Sequence, residues 1–126
     1  MSIWPFAIAF ALLQSPAAPK KGGNPEAAKI MNPVAASPES SAAGKRVYTR
    51  MCSRCHGPEG KGDGSAATTT VPDLTDAAWD YGGSDGEIFS VIHDGVSADM
   101  DGYAARLTDT DIWNVVNYLK SVAAKR

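Results

Sequence analysis

Two cysteines separated by two residues, with a histidine directly after the second, stand at Cys52, Cys55 and His56 in the run Cys-Ser-Arg-Cys-His. They are the only cysteines in the 126-residue chain. Thiols and imidazoles bind metals and act as nucleophiles, so four chemistries are open to this spacing. A disulfide between Cys52 and Cys55 closes a very small ring and constrains little. A thioredoxin-like dithiol wants a βαβ context, and the sequence offers none. A zinc site needs four ligands; Cys52, Cys55, His56 and His93 make that count, but adjacent Cys55 and His56 are awkwardly placed and no H-x-H spacing exists. The fourth chemistry is haem attachment, the reading of C-x-x-C-H adopted here. Residues i and i+3 of a helical turn share one side, so both thiols can add to the two vinyl groups of one porphyrin. His56 is then tethered beneath the iron, where a neutral imidazole is a suitable ligand.

The elements that must position these groups read as helices joined by loops. Ser41 is placed to cap a helix running to about Ser53, with Val47, Tyr48 and Met51 on one face. Residues 57–71 carry Pro58 and glycines at 57, 60, 62 and 64, which predicts a long irregular loop. Ser84-Asp85-Gly86-Glu87 has the form of a capping box, and Ile88, Val91 and Ile92 follow at helical spacing. Gly95 stops that helix. Thr108-Asp109-Thr110-Asp111 opens the last helix, whose Ile112, Val115, Val116, Leu119 and Val122 form a broad apolar stripe. No strand pattern appears. The expected fold is all-α, three main helices with loops.

Residues 3–13 form an apolar run, too short for a transmembrane span of roughly 20 residues. Ser15 and Ala17 supply small side chains before a cut after residue 17, so residues 1–17 read as a secretory signal, with an uncleaved membrane anchor as the alternative. Residues 18–41 are rich in Pro, Ala, Ser and Gly and read as a flexible linker. The folded domain is then residues 42–126. Its 85 residues (126 − 41) make a small core that usually recruits a metal, disulfide or cofactor. Net charge is −2, split +1 over residues 1–41 and −3 over 42–126. That balance excludes the basic footprint of a nucleic-acid binder. Lys45, Arg46, Arg50 and Arg54 gather near the cysteines, whereas most acids fall between Asp63 and Asp111, a polarity suited to orienting a charged redox partner.

The stretch Cys-x-x-Cys-His-Gly-Pro-Glu-Gly-Lys-Gly-Asp-Gly at 52–64 resembles the attachment motif and following loop of class I c-type cytochromes, and the likeness covers residues 42–123. Gly44 and Tyr48 match the positions where that family's first helix crosses its last, with Val115 and Tyr118 on the facing side. The resemblance implies a cytochrome c fold wrapped around one covalent haem c. It implies that the Pro72 carbonyl accepts a bond from His56, that Trp79 packs against the haem edge, and that Met100 is the second axial ligand. A Met/His pair raises the haem potential. Asp101 departs from the proline that the family often has after this methionine. His93, near the end of the capped helix, reads as a surface residue.

With His56 and Met100 both bound, no iron position is open, so the expected function is single-electron transfer without enzyme activity. The alternative is a haem subunit dedicated to a periplasmic dehydrogenase or terminal oxidase. A ligand-binding or peroxidase-like haem protein would require an open iron. The expected partners are redox proteins such as a dehydrogenase, oxidase or respiratory complex. The expected state is an exported, periplasmic monomer, tethered to the membrane if residues 1–17 stay attached.

Overall fold

Ser37, not Ser41, begins the first helix. Its side chain accepts the Ser40 amide at 3.0 Å, and Pro38 fills the first helical position, where its missing N–H costs nothing. The computed structural model describes residues 23–76 and 78–123. Among them are four α-helices: α1 Pro38–Met51, the single turn α2 Ser53–His56, α3 Asp85–Asp94 and α4 Asp109–Ala123. A 3₁₀ turn covers Pro25–Lys29. No strand occurs among the described residues beyond an isolated antiparallel bridge between Gly95 and Asp101.

The core lies where α1 crosses α4. Gly44 supplies the closest approach, because a Cβ there would collide with the Asn114 carbonyl. Beside this gap the rings of Tyr48 and Tyr118 meet at 5.3 Å between centroids. The stripe expected on the last helix is buried as Ile112, Val115, Val116 and Leu119, and α3 adds Ile88 and Ile92. The α3 capping box is formed: the Glu87 amide donates to Ser84 Oγ at 3.3 Å, and the Ser84 amide donates back to the Glu87 carboxylate at 3.4 Å. At the start of α4 the Asp111 amide donates to Thr108 Oγ1 at 3.1 Å.

The linker reading fails from residue 23 onward. Ala27 is fully buried, and a Cβ on Gly86 would strike the Ala27 carbonyl, so the glycine lets this strap lie directly on α3. Asn117, buried on α4, holds the rest. Its amide donates to Ser40 Oγ at 2.8 Å and to the Val34 carbonyl at 3.1 Å, and its oxygen accepts from Asn32 at 2.8 Å. The packed unit thus begins at least nineteen residues (42 − 23) before the expected boundary. One buried methyl group and a satisfied polar network do what apolar mass was expected to do. The expected signal or anchor at residues 1–17 lies outside the described residues.

Candidate haem site

α1 does not run through the motif. The Cys52 amide still donates to the Tyr48 carbonyl at 2.8 Å, but Cys52 itself leaves helical geometry at φ −120°, ψ −33°. The Cys55 and His56 amides then return to the Cys52 carbonyl at 3.2 and 3.0 Å. This single turn sets the two thiols three residues apart on one side, with His56 next in line. Both cysteines are free, Cys52 half-buried and Cys55 exposed.

A four-residue turn does not hold itself together. The glycine-rich loop holds it: the amides of Gly62, Gly64 and Ala66 donate to the carbonyls of His56, Cys55 and Arg54 at 2.8, 3.2 and 2.8 Å. Gly62 sits at φ +81° with the Val71 carbonyl where a Cβ would stand, so both its conformation and its space require glycine. The Tyr48 hydroxyl donates to the Gly57 carbonyl at 2.6 Å, fastening this loop to α1. The Leu74 amide donates to the Gly60 carbonyl at 2.7 Å and brings in the segment after Pro72.

The expected bond from His56 to Pro72 is not made. His56 Nδ1 is buried without a hydrogen-bond partner, while the Pro72 carbonyl lies against Gly62, 3.2 Å from where a Cβ would be. The exposed Pro72 is followed by a tight turn in which the Thr75 amide and hydroxyl both donate to Asp73, at 2.8 and 2.6 Å. Trp79 is half-buried against the core, its ring facing Gly83.

On the other side of the site, α3 ends at Gly95 and the chain folds back at once. The Val96 amide donates to the Met100 carbonyl at 3.1 Å and the Met100 amide to the Ser97 carbonyl at 3.2 Å. The Tyr103 amide donates to the Ile92 carbonyl at 2.8 Å, closing the loop. Met100 is half-buried and packs against the core. The Tyr103 hydroxyl reaches the Met51 carbonyl at 3.1 Å, joining the methionine loop to the residue before Cys52. Arg106 covers the Tyr103 ring at 4.1 Å. The sequence reading missed this link; an aromatic residue three positions after Met100 was its only signal.

Electrostatics separates the four chemistries. Burial, and then the neighbouring Cys55, pushes the Cys52 thiol up from 9.0 to about 11. The attacking thiol of a redox dithiol has a lowered pKa, and Cys52 is shifted the other way. Burial pushes the His56 imidazole below its ordinary value, which keeps it neutral and able to donate a lone pair. His93 has carboxylates at both ring nitrogens, Asp94 at 2.7 Å and Asp109 at 3.6 Å, and stacks on Phe89. It is half-buried. Among the described residues no group of three or more His, Cys, Asp or Glu side chains is gathered to hold a metal ion. Two uncrosslinked thiols beside a neutral, half-buried imidazole with a buried, unpartnered ring nitrogen, together with half-buried Met51, Leu74, Trp79 and Met100 against the core, fit a covalently held haem.

Comparison with known proteins agrees with this chemistry. Residues 39–119 match the family model described as cytochrome C oxidase, cbb3-type, subunit III. The chain is 32% identical over 91 residues to the cbb3-type cytochrome c oxidase subunit CcoP of Rubrivivax gelatinosus, covering 71% of this chain and 28% of that protein. It is 34% identical over 79 residues to the CcoP subunit of Cereibacter sphaeroides, covering 63% of this chain and 26% of the relative. The chain therefore spans little more than a quarter of the curated relatives it matches. Among solved structures, a Kuenenia stuttgartiensis reducing HAO-like protein complex aligns with TM-score 0.67 and 25% identity, over 74% of this chain and 49% of that one. Cytochrome cL of Methylophaga aminisulfidivorans aligns with TM-score 0.60 and 25% identity, over 68% and 54%.

Proposed function

Since this chain belongs to the family of cytochrome C oxidase, cbb3-type, subunit III, and has a class I cytochrome c fold with a covalent haem c, we propose that it carries single electrons with Cys52, Cys55, His56 and Met100 as its haem-holding residues. The observation that carries this reading is the joining of two loops at one helix end. The Cys-x-x-Cys-His turn and the Met100 loop are tied there by the Tyr103–Met51 bond.

Bound haem c supplies a reversible one-electron couple. Cys52 and Cys55 attach it from one side of a helical turn. His56, kept neutral by burial, offers its imidazole without first shedding a proton. Met100 offers a soft thioether from a loop closed on itself by backbone bonds. With haem c bound, His56 and Met100 would be the residues holding its iron, and the chemistry it would supply is one-electron transfer, the work of a carrier and not of an enzyme. The rigid α1–α4 crossing keeps these groups in place as charge changes. Trp79 would pack as an apolar wall against bound haem, and Pro72 precedes the turn whose Leu74 amide fastens it to the Gly60 carbonyl of the glycine-rich loop.

A second reading has its own support. The curated relatives are subunits of cbb3-type oxidases, which favours a haem subunit delivering electrons to a terminal oxidase over a free shuttle. Either role places the domain outside the cytoplasm, where c-type haem is joined. Among the described residues no helix is long and apolar enough to cross a membrane.

The test is a redox titration with a carbon monoxide challenge on the wild type and on Met100→Ala. The wild type should titrate as a one-electron couple and its reduced form should not bind carbon monoxide. Met100→Ala should retain haem, lose on the order of a tenth of a volt or more within the roughly 0.8 V range that axial ligation sets, and bind carbon monoxide. Rapid binding by the wild type would replace the carrier with an open-iron protein.

A further inference from the structure

The loop that carries Met100 has its two roots joined by a histidine. α3 ends at Asp94 and α4 starts at Asp109, so the loop between them is fourteen residues long (108 − 94). His93, on the last turn of α3, places Nε2 3.6 Å from the carboxylate of Asp109. Its Nδ1 lies 2.7 Å from Asp94. Backbone bonds fasten the loop to α3: the Tyr103 amide donates to the Ile92 carbonyl at 2.8 Å and the Ala104 amide to the His93 carbonyl at 3.2 Å. The link across to α4 at this end is the His93 ring. At the other end of the helix pair, Lys120 of α4 meets Asp85 of α3 at 3.6 Å. Lysine and aspartate side chains keep their charges across the neutral range, whereas a histidine changes charge between about pH 5 and 8.

The ring is held so that this link depends on a proton. His93 stacks on Phe89 with 5.3 Å between centroids and 22° between planes, and Phe89 stacks on the buried Trp113 of α4 at 4.0 Å and 19°. Asp94 is held as well, since its other carboxylate oxygen accepts the buried Ser90 hydroxyl at 3.2 Å. A carboxylate only accepts, so the Nδ1 facing Asp94 carries a hydrogen. In a neutral ring Nε2 is then a bare acceptor turned towards a second acceptor, Asp109. Only the imidazolium donates on both sides. The charges on the loop itself are Asp99, Asp101 and Arg106, and Arg106 lies on the Tyr103 ring. Among the described residues, Asp94 from α3 and Asp109 from α4 are the carboxylates within ion-pair distance of His93.

We propose that His93 is a positioning residue for Met100, a proton-dependent clasp across the two roots of the methionine loop. With a solvent proton on Nε2, the ring bridges Asp94 and Asp109 and joins α3 to α4 at the base of the loop. Without that proton, Nε2 and the Asp109 carboxylate repel, and the roots part more easily. The loop then opens more often as pH rises, and the Met100 thioether gives way to an outside ligand more readily. The proposal rests on the carrier reading and deepens it by placing the distal ligand under the control of one proton.

The test is amide hydrogen exchange in the isotope-labelled, reduced holoprotein, followed from about pH 6 to about pH 8, where a histidine loses its charge. Protection of the Tyr103 and Ala104 amides, taken relative to the unstructured rate at each pH, should fall roughly threefold across this range, the size expected of one partly exposed ion pair. Azide, added to the oxidised holoprotein over the same range, should bind faster by a similar factor as pH rises. His93→Gln and Asp109→Asn should flatten both profiles, and Asp109→Glu should restore them. A purely structural role for His93 would displace the variants' curves without flattening them. Flat profiles in the wild type, or a slope that survives in Asp109→Asn, would overturn the proposal. So would loop protection that follows pH while azide binding does not, since the clasp would then leave Met100 untouched. Exchange reports the loop whether or not Met100 is the ligand. A wild-type potential retained in Met100→Ala sinks the carrier reading, and flat exchange profiles sink only the clasp.

Discussion

The Tyr103 hydroxyl donates to the Met51 carbonyl at 3.1 Å across 52 residues of sequence. That carbonyl belongs to the last residue of α1, directly before Cys52. One side chain therefore ties the proposed distal loop to the proposed attachment turn, and Arg106 on the Tyr103 ring keeps it there.

Tyr103→Phe removes the bond and keeps the ring. The expected loss of stability is about 1 kcal/mol, read as a lower denaturant midpoint. The more informative change is at Met100: its loop should open more often, so the reduced variant should bind carbon monoxide measurably where the wild type does not. A variant with lower stability and no carbon monoxide binding would make Tyr103 a packing residue only.

Tyr48 predicts an alkaline limit. Its phenol is pushed far above the ordinary value of 10, chiefly by burial. In the unfolded chain the group ionises near pH 10 while in the fold it stays protonated, so the folded state holds the extra proton. This contribution to stability is complete below pH 10 and declines as pH rises beyond it. Tyr118 and Tyr103 are shifted the same way by burial and add to the slope. Tyr48→Phe should cost roughly 1–3 kcal/mol at pH 7, because the Gly57 carbonyl loses its donor. The same variant should unfold with a shallower dependence on pH above 10. Parallel curves for variant and wild type in that range would show that Tyr48 is not the titrating group.

The strap before α1 gives a third prediction. Asn117→Ala removes the donor to Ser40, Val34 and Ala35 and the acceptor for Asn32. Trypsin should then cut after the exposed Lys29 several-fold faster, with a stability loss of roughly 1–3 kcal/mol. The reduction potential should not move, since the strap lies on α3 and α4. Unchanged cleavage would mean that the strap is held by the Ala27–Gly86 contact alone.

What could be read in the sequence was local or periodic. Cys52, Cys55 and His56 declare themselves because attachment needs three residues of one turn, and the Ser84–Glu87 box because both partners lie within four positions. The stripe on α4 follows from spacing alone. The links that complete the site span long separations and leave no local mark. Tyr103 and Met51 are 52 residues apart, and Asn117 is a polar residue within an apolar stripe whose purpose appears only once residues 32–40 lie across it. The His56–Pro72 bond came from family resemblance and has no local mark in the sequence, since the two residues lie sixteen positions apart (72 − 56). The earlier start of α1 was legible in principle: Ser37 followed by Pro38 is a stronger helix opening than Ser41.

The central claim is a haem joined to the chain through Cys52 and Cys55. The direct measurement is acidified-organic-solvent extraction of the denatured, exported protein, followed by a haemochrome spectrum of both fractions. The account predicts that haem stays with the wild-type polypeptide in a one-to-one ratio and that Cys52→Ala with Cys55→Ala leaves none bound. Haem that passes into the solvent from the wild type, or a wild type exported alongside a working attachment system with no haem at all, would contradict it.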